Sequence, residues 1–335
     1  MTRGPQQQPD IHGAAGSRKG RRGAPFLTFV AGEEDKGAFL SGVLRNRFGL
    51  SRAMVRRLKA PGCVFAGGKP VPVRHRLQPG EIVELFLPEG AQTIVDPEPV
   101  PLSVVYEDAH LLVLDKPAGV LVHPAGAELS GTLANGVAHY LLSRDEPNAA
   151  GPVTRLDRGT SGLVLFAKHP HAHHRLEEAL RKGEVERAYA GLVQAPMPRE
   201  EGVIDAPIRR AEGSLLRREV GPGGQPAVTR YKVLQTFDGP QELGELCLVQ
   251  FELETGRTHQ IRVHMAWIGR PIVGDPLYGR PLPGVIERQA LHAWRLSFTH
   301  PITGERLELA SPLPPDVARL LPLRPHNPSG NQAIP

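Results

Sequence analysis

The chain has 335 residues, two cysteines and a formal net charge of +5, and its sequence pI is about 9.4. This length predicts one large domain or two smaller ones, and two cysteines exclude a disulfide framework. No apolar run reaches about 18 residues, and the polar first residues lack the apolar core of a secretion signal. We therefore expect no membrane span and a cytoplasmic protein.

Both ends of the chain are predicted to be disordered. Residues 1–25 are rich in Gln, Gly and Arg, and residues 323–335 are rich in Pro and Asn. Neither segment carries enough apolar surface to order itself in a core. The basic cluster Arg18–Arg22 leaves two interpretations open for the first segment: an arm that seeks phosphates, or a solvated leader.

A small basic unit is predicted at residues 26–90. Between Val43 and Gly80 there are nine Lys or Arg residues and no Asp or Glu. Such one-sided charge suits a phosphate backbone, which positions a protein on RNA without reading its bases. The alternative is a basic cap that only supports a second domain. The candidate RNA-binding side chains of this unit are Arg45, Arg52, Arg56, Lys59 and Lys69.

Local patterns predict a short helix and small strands in the basic unit. Ser51 is a suitable N-cap for a helix that runs to about Lys59 and turns Met54 inward. Extended segments are predicted near Cys63–Ala66 and Glu81–Leu87. The unit is therefore expected to be of the α+β class.

Three motifs between residues 36 and 87 resemble the RNA-binding module first seen in ribosomal protein S four. They read Leu-Ser-Arg-x-x-Val-x-x-Leu, Gly-Lys-x-Val and Pro-Gly-Glu-x-Val-Glu-Leu. The module usually has Asn before its Gly-Lys, where this chain has Gly67. The resemblance implies that the unit binds RNA.

Residues 91–101 are predicted to link the basic unit to a second domain at residues 102–322. Pro97, Pro99 and Pro101 interrupt regular structure in this segment. We therefore expect the basic unit to move on a Pro-rich tether.

The second domain is predicted to begin with strands and a helix. The patterns indicate strands at Val104–Tyr106, Leu111–Leu114 and Val120–His123. Apolar residues four apart then indicate a helix at Thr132–Leu142.

The stretch Arg155–Gly162 reads Arg-Leu-Asp-Arg-Gly-Thr-Ser-Gly and places a carboxylate between two arginines. The apolar run Leu163–Ala167 follows it, and this short run bounded by turn residues predicts a buried strand. Asp157 is therefore expected on a loop that a core strand holds in place. Arg155 and Arg158 favour its ionised form and attract a polyanion. The alternative is a solvated turn with a local ion pair.

The motif Arg-Leu-Asp-Arg-x-Thr-Ser-Gly resembles the catalytic motif of the RluA-type pseudouridine synthases, which isomerise uridines in RNA. The family usually has His before this motif, where this chain has Thr154. The segment Asp115–Pro124 also resembles the family and is interpreted as scaffolding, with no chemistry assigned to Lys116 or His123. The resemblance implies that Asp157 is the catalytic carboxylate.

A second matching segment lies in the predicted strand Glu186–Val193. Its Tyr-x-x-x-Val pattern matches the second active-site segment of the family at Tyr189. Gly191 and Ala195 stand where the family often has Ala and Gly. The resemblance implies that the tyrosine stacks on the target base or transfers a proton.

A third matching segment is Gly256–Met265, which reads Gly-Arg-Thr-His-Gln-Ile-Arg-Val-His-Met. Thr258 is predicted to cap a helix that runs to Ile268. Arg262 then lies at the edge of the buried face, where a half-buried arginine needs an anion. In the family this arginine pairs with the catalytic aspartate, and we expect a two-pronged contact that keeps Asp157 ionised and oriented. The matches together span about residues 102–312.

The resemblance implies an α+β fold, with a mixed, mainly antiparallel sheet, flanking helices and a cleft across the sheet. It implies a monomer that acts on RNA, ribosomal RNA ahead of transfer RNA, with no cofactor and no metal. Arg155 would fill the gap that a flipped uridine leaves in a stem. Asp157 would add to the sugar or base, or stabilise a cationic sugar and help remove a sugar proton; the sequence does not choose.

Two other classes of protein fit part of the sequence. A non-catalytic RNA-binding or ribosome-assembly factor would account for the basic unit alone. A metal-dependent hydrolase would use the histidines His169, His171, His173 and His174. Pro170, however, predicts that a helix starts there with His169 at its cap, and no cysteine or second His-rich segment completes a metal site.

Overall fold

A computed structural model describes residues 25–87, 95–146, 150–240 and 243–322 of the chain. The predicted tails lie outside these described residues, apart from Pro25. So do residues 88–94, which include the end of the predicted basic unit and the start of the predicted linker.

The basic unit has its own four-stranded antiparallel sheet and its own apolar core. The strand order is β1-β4-β2-β3, and Leu40, Leu44, Leu58 and Leu85 are among the fully enclosed core residues. Its elements are β1 (Leu27–Val30), a 3-10 turn (Glu33–Asp35), α1 (Leu40–Asn46), α2 (Arg52–Arg57), β2 (Val64–Ala66), β3 (Lys69–Pro70) and β4 (Ile82–Leu85).

The predicted helix of the basic unit is confirmed, with a shorter end. The Ser51 hydroxyl accepts a hydrogen bond from the Met54 amide at 3.1 Å, as an N-cap does. Met54 is buried, as its spacing predicted. The helix ends at Arg57, two residues before the predicted end at Lys59, which is exposed.

The described part of the predicted linker is not a free tether. The Asn135 side chain donates a hydrogen bond to the Asp96 carbonyl at 2.8 Å, and the Glu98 carboxylate accepts one from the Gly131 amide. Val95 is buried in the large core of the second domain. The expectation of a mobile tether is therefore wrong for residues 95–101.

The second domain is built on a ten-stranded sheet. Eight strands run in the order β10-β13-β14-β9-β15-β8-β6-β5, while β7 pairs with β8 and β16 with β15. The elements are β5 (Val104–Glu107), β6 (Leu111–Lys116), α3 (Leu133–Leu142), β7 (Gly151–Pro152), β8 (Ser161–Ala167), α4 (Pro170–Arg181), β9 (Glu186–Gln194), β10 (Glu201–Asp205), β11 (Ile208–Arg210), β12 (Arg218–Val220), β13 (Val228–Asp238), β14 (Glu245–Leu253), α5 (Gln260–Trp267), β15 (Leu291–Thr299), β16 (Arg306–Ala310) and α6 (Pro315–Ala318).

The sheet is mixed and mainly antiparallel, and the predicted α+β class is confirmed. Among the described strand pairs of this sheet, only β8 and β15 run parallel. Separately, β11 and β12 form a two-stranded ribbon. None of the described helices is long and apolar enough to cross a membrane.

Strand β8 is buried on both faces, which explains its continuous apolar sequence. Leu163 and Leu165 belong to the core that packs on α4 through Leu176. Val164 and Phe166 belong to the core on the other face, with the apolar residues of α3. The loop before β8 is therefore anchored by the most enclosed strand of the domain.

The predicted strand Val120–His123 does not form. The carbonyls of Leu121 and Val122 instead accept hydrogen bonds from the first amides of α3, Leu133 and Ala134, at 2.9 and 3.0 Å. Because the first amides of a helix have no partner inside it, this segment serves as their acceptor. The predicted helix that follows is confirmed, with Thr132 as its N-cap.

We predict that replacing Gly162 by Ala destabilises the domain strongly. Gly162 has φ +110°, and a Cβ there would lie 2.2 Å from the Ala293 carbonyl oxygen of the parallel partner strand. A clash with backbone cannot relax by a side-chain rotation, so the free energy of unfolding should fall by about 3 kcal/mol or more. Urea denaturation measures this loss.

The matched control for that substitution is Gly126→Ala. Gly126 also has positive φ, +62°, but a Cβ there meets no atom within 4 Å. Its cost should be limited to the left-handed backbone, about 1 kcal/mol. Equal losses in the two variants would contradict the close approach of β8 and β15.

Candidate active site

Four side-chain and backbone groups fix the loop that carries Asp157. Lys116 Nζ and the Gly119 amide donate hydrogen bonds to the Arg158 carbonyl at 3.0 and 2.8 Å. The Arg288 guanidinium donates to the Gly159 carbonyl at 3.0 Å, and the side-chain amide of Gln289 donates to the Thr160 hydroxyl at 3.0 Å. The residues that follow Asp157 are thus tied to distant parts of the chain.

Lys116 is completely buried and holds three carbonyl groups. Besides the Arg158 carbonyl, its ammonium donates to the carbonyls of Pro117 and Val120 at 2.9 and 2.8 Å. Burial, followed by the charge of Arg288, lowers the pKa of Lys116 to about 7. The sequence analysis interpreted the segment around Lys116 as scaffolding. It did not predict that this lysine positions the Asp157 loop.

Thr154, which replaces the usual family histidine, has a structural contact. Its hydroxyl accepts a hydrogen bond from the Leu165 amide at 3.0 Å, and its side chain is buried. This contact ties the start of the loop to strand β8. The departure from the family pattern therefore affects the packing of the loop.

Arg262 lies between two carboxylates, Asp157 and Asp275. Its Nη1 donates to Asp157 Oδ2 at 3.0 Å, while Nε and Nη2 donate to the two oxygens of Asp275 at 2.7 and 2.8 Å. The predicted pairing of Asp157 with Arg262 is thus present in the structure. The predicted two-pronged contact to Asp157 is wrong, because the two-pronged contact is made to Asp275.

The arginine is more deeply buried than the sequence indicated. Arg262 is 5% exposed and Asp275 is not exposed, whereas 24% of the Asp157 side chain is exposed. Burial alone would lower the pKa of Arg262 and raise that of Asp275, but their mutual hydrogen bonds outweigh burial and hold both charged. The buried pair therefore presents one fixed N–H to an accessible carboxylate.

Asp275 was missed by sequence reasoning. It lies in the motif Gly274–Gly279, which was matched to the family without a role for the aspartate. Its Oδ1 also accepts hydrogen bonds from the amides of Leu277 and Tyr278 at 2.9 and 3.1 Å. Both oxygens of this buried aspartate already accept hydrogen bonds, so Asp275 orients Arg262 rather than reacting.

Helix α5 starts differently from the prediction. Its N-cap is His259, not Thr258, and no side chain caps the helix. His259 has φ 58° and ψ 20°, a left-handed conformation that turns the chain into the helix. The helix ends at Trp267, one residue before the predicted end.

Tyr189 lies in the middle of β9, opposite Phe251 of β14 and Ala293 of β15. It is 6% exposed, and burial, with a further contribution from the Asp157 charge, raises the pKa of its hydroxyl. The tyrosine is therefore neutral at pH 7.

All six predicted RNA-binding side chains are exposed. Arg155 lies on the Asp157 loop itself, two residues before the aspartate. None of these six side chains forms an ion pair within 4 Å with another described residue. The other five belong to the basic unit: Arg45, Arg52, Arg56, Lys59 and Lys69.

The histidines near α4 have structural contacts. His169 is the N-cap of α4, as predicted; its Nδ1 accepts from the Ala172 amide at 3.2 Å and its Nε2 lies 3.0 Å from His110 Nδ1. Burial lowers the pKa of His169 to about 3 and that of His171 to about 4, so both are neutral at pH 7. Within the described ranges, no three His, Cys, Asp or Glu residues are grouped to hold a metal ion.

Known proteins resemble both the sequence and the fold. A family model described as RNA pseudouridylate synthase matches residues 110–267. An uncharacterized RNA pseudouridine synthase of Bacillus subtilis, YjbO, is 40% identical over 276 residues, 82% of this chain and 95% of the relative. Ribosomal large subunit pseudouridine synthase D of Nitrosomonas europaea is 41% identical over 271 residues, 77% of this chain and 76% of the relative. The solved structure of human RNA pseudouridylate synthase domain containing 1 has a TM-score of 0.52 and 25% identity, covering 65% of this chain and 86% of its own.

The chain therefore belongs to the RNA pseudouridine synthases. Within that class it is of the RluA type, an isomerase that modifies RNA, as its motifs predicted.

Proposed function

We propose that this enzyme converts specific uridines of ribosomal RNA to pseudouridine, with Asp157 as the essential carboxylate and without a cofactor. The observation that carries the proposal is one accessible carboxylate held by a buried guanidinium. Arg262 contacts Asp157 at 3.0 Å, while a second, unexposed carboxylate fixes the arginine from behind.

The chemistry requires only groups of this kind. Pseudouridine formation breaks the bond between ribose and a base nitrogen, turns the base, and rejoins ribose to carbon 5 of the base. The hydrogen on carbon 5 leaves as a proton, and no electrons or phosphates are exchanged. A carboxylate serves by adding to the sugar or base, or by stabilising a cationic sugar.

Two further residues are given roles in this proposal. The Asp157 charge helps to raise the pKa of the Tyr189 hydroxyl, so the tyrosine is neutral; its ring is suited to stack on the target base and its hydroxyl to transfer a proton. Arg155 is exposed on the same loop, where its side chain can fill the gap left by a uridine that leaves a stem.

The proposed RNA is that of the large ribosomal subunit, ahead of transfer RNA. Relatives from Nitrosomonas europaea and Xanthomonas campestris, 41% and 39% identical, are named ribosomal large subunit pseudouridine synthase D. The exposed arginines and lysines of the basic unit supply the positive surface that such a polyanion needs. We propose that a monomer acts in the cytoplasm.

We also propose that the chain comprises an RNA-binding domain at residues 26–90 and a catalytic domain at residues 102–322. Separate apolar cores in the two parts support this division. Residues 91–101 join these two proposed domains.

The test of this function is a map of pseudouridine positions in cells with and without the gene. We expect one or a few uridines of large-subunit RNA to stay unmodified in its absence, and plasmid-borne protein to restore them. An unchanged ribosomal RNA map, with lost sites in transfer RNA, would contradict the proposed substrate.

We predict that the double substitution Arg52→Gln, Arg56→Gln weakens RNA binding through lost phosphate contacts. Because each contact releases counterions, the slope of log affinity against log salt should decrease by about 1.5. Fluorescence anisotropy with a ribosomal RNA fragment at several salt concentrations measures the slope.

The matched control removes the same two charges elsewhere. Arg230 and Arg306 are exposed and already paired with Glu254 and Glu186, at 2.6 and 2.7 Å. The double variant Arg230→Gln, Arg306→Gln should leave the slope nearly unchanged. A slope that falls equally in both variants would mean that only net charge matters and that the basic unit has no special role.

A further inference from the structure

His259 links the Asp157 carboxylate to Tyr278. The imidazole Nε2 lies 3.9 Å from Asp157 Oδ1, and Nδ1 lies 2.8 Å from the Tyr278 hydroxyl oxygen. The ring is placed there by the left-handed backbone of His259 at the start of α5. Asp157 therefore has Arg262 at one oxygen and an imidazole facing the other.

The surroundings of the Tyr278 hydroxyl favour one position for the proton of the His259 imidazole. That oxygen accepts a hydrogen bond from the Arg218 amide at 2.8 Å, so its own hydrogen is directed elsewhere. His259 Nδ1 lies 2.8 Å from that oxygen and is placed to accept this hydrogen. A neutral imidazole that accepts at Nδ1 carries its proton at Nε2, toward Asp157.

Tyr278 is itself held by the arginine network. Its ring lies against the Arg262 guanidinium, 5.1 Å from the ring centre, and its amide donates to Asp275 Oδ1 at 3.1 Å. The Arg217 guanidinium also faces this ring, at 5.8 Å. The hydroxyl therefore has little freedom to turn away from His259.

We propose that His259 is a positioning residue that holds the second oxygen of Asp157 through a neutral, Nε2-protonated imidazole. The inference rests on the proposed role of Asp157. A short movement closes the 3.9 Å separation to a hydrogen bond, so both carboxylate oxygens are then fixed and aimed.

The charges around the ring agree with a neutral imidazole. Burial is the largest influence and lowers the pKa of His259 below its usual value. The carboxylates of Asp157 and Asp275 oppose this, whereas Arg262 and Arg218 reinforce it. The net pKa lies below that of a free histidine, so the ring is neutral at pH 7 and its protonation begins only in acid.

The first test uses two substitutions of His259 and a pair of kinetic constants. His259→Asn tolerates the left-handed backbone but does not reach Asp157, so kcat should fall about 10²-fold with little change in KM. His259→Gln places an amide N–H near the Nε2 position and should recover at least about a tenth of the activity. His139→Asn, an exposed histidine of α3, is the control and should match the wild type.

A second test reports the tautomer directly. Nitrogen NMR of the full-length protein, with the ring assigned by its loss in His259→Asn, should show a proton on Nε2 and none on Nδ1 at pH 7.5. In Tyr278→Phe, Nδ1 loses its donor and binds a proton more readily, so the pH at which the ring becomes charged, read from the same nitrogen signals, should rise.

Three results would overturn the inference: a proton on Nδ1, a charged ring at pH 7.5, or full activity of His259→Asn. The failure of the proposed function looks different. If Asp157→Asn stays active, the carboxylate is not essential, whatever His259 does; if only His259→Asn stays active, the positioning role alone is wrong.

Discussion

Asp157→Asn is expected to lower the rate of pseudouridine formation by at least about 10³-fold, or about 4 kcal/mol of barrier. Asparagine has the same shape, but it lacks the charge that, in the proposed role of Asp157, reacts with or stabilises the sugar or base. RNA affinity should change little, because the exposed arginines and lysines that we propose bind phosphates are intact. The measurement is single-turnover release of hydrogen from carbon 5 of uridines in labelled ribosomal RNA.

The fold should survive that substitution. Arg262 keeps both hydrogen bonds to the buried Asp275, so no guanidinium is left unpaired. Asp238→Asn, an exposed carboxylate at the end of β13, is the matched control and should be fully active. Turnover in Asp157→Asn within tenfold of the control would exclude Asp157 as the essential group.

Arg262→Lys is expected to cost both activity and stability. A lysine ammonium is a point charge, so it cannot make the two-pronged contact with Asp275 and also direct an N–H at Asp157. The rate should fall about 10²- to 10³-fold, as when a fixed charge-stabilising donor is lost. The free energy of unfolding should fall by about 3 kcal/mol, because Asp275 is fully buried and loses its partner.

Two measurements separate these effects. Urea denaturation gives the loss of stability, and single-turnover kinetics at a temperature where the variant is folded give the loss of rate. Arg270→Lys, at a half-buried arginine just after α5 whose side chain donates to the backbone carbonyls of Pro196 and Gly269, is the control and should change neither by much. An active but destabilised Arg262→Lys would show that the arginine only supports the fold.

The sequence predicted the two ends of the Asp157–Arg262 pair, because each lies in a long motif with a buried element beside it. β8 follows Asp157 as a continuous apolar run, and that run is the strand buried on both faces. The motif around Arg262 begins α5, whose Ile261 and Met265 are buried.

The groups behind the pair could not be found from local patterns. Lys116, Arg288 and Asp275 lie far from the Asp157 loop in sequence, and each contacts it or its arginine through the fold. A buried lysine or aspartate carries no periodic signal, and its partners are set by tertiary structure.

The same limit explains the elements that were misjudged. The segment Val120–His123 has the composition of a strand but gives its carbonyls to the start of α3. Residues 95–101 have the composition of a linker but fix their backbone to Asn135. In both cases hydrogen bonds to the start of α3 set the conformation of the segment. The amino-acid composition of the segment does not predict these bonds.

The most direct test of the central claim is a balance of products with purified protein. Wild type and Asp157→Asn are incubated side by side with unmodified large-subunit RNA, a metal chelator and no other small molecule. We predict that the wild type releases one carbon-5 hydrogen for each pseudouridine formed, and that the variant releases none. Turnover by the variant, or a wild type that works only after metal or a cofactor is added, would contradict this prediction.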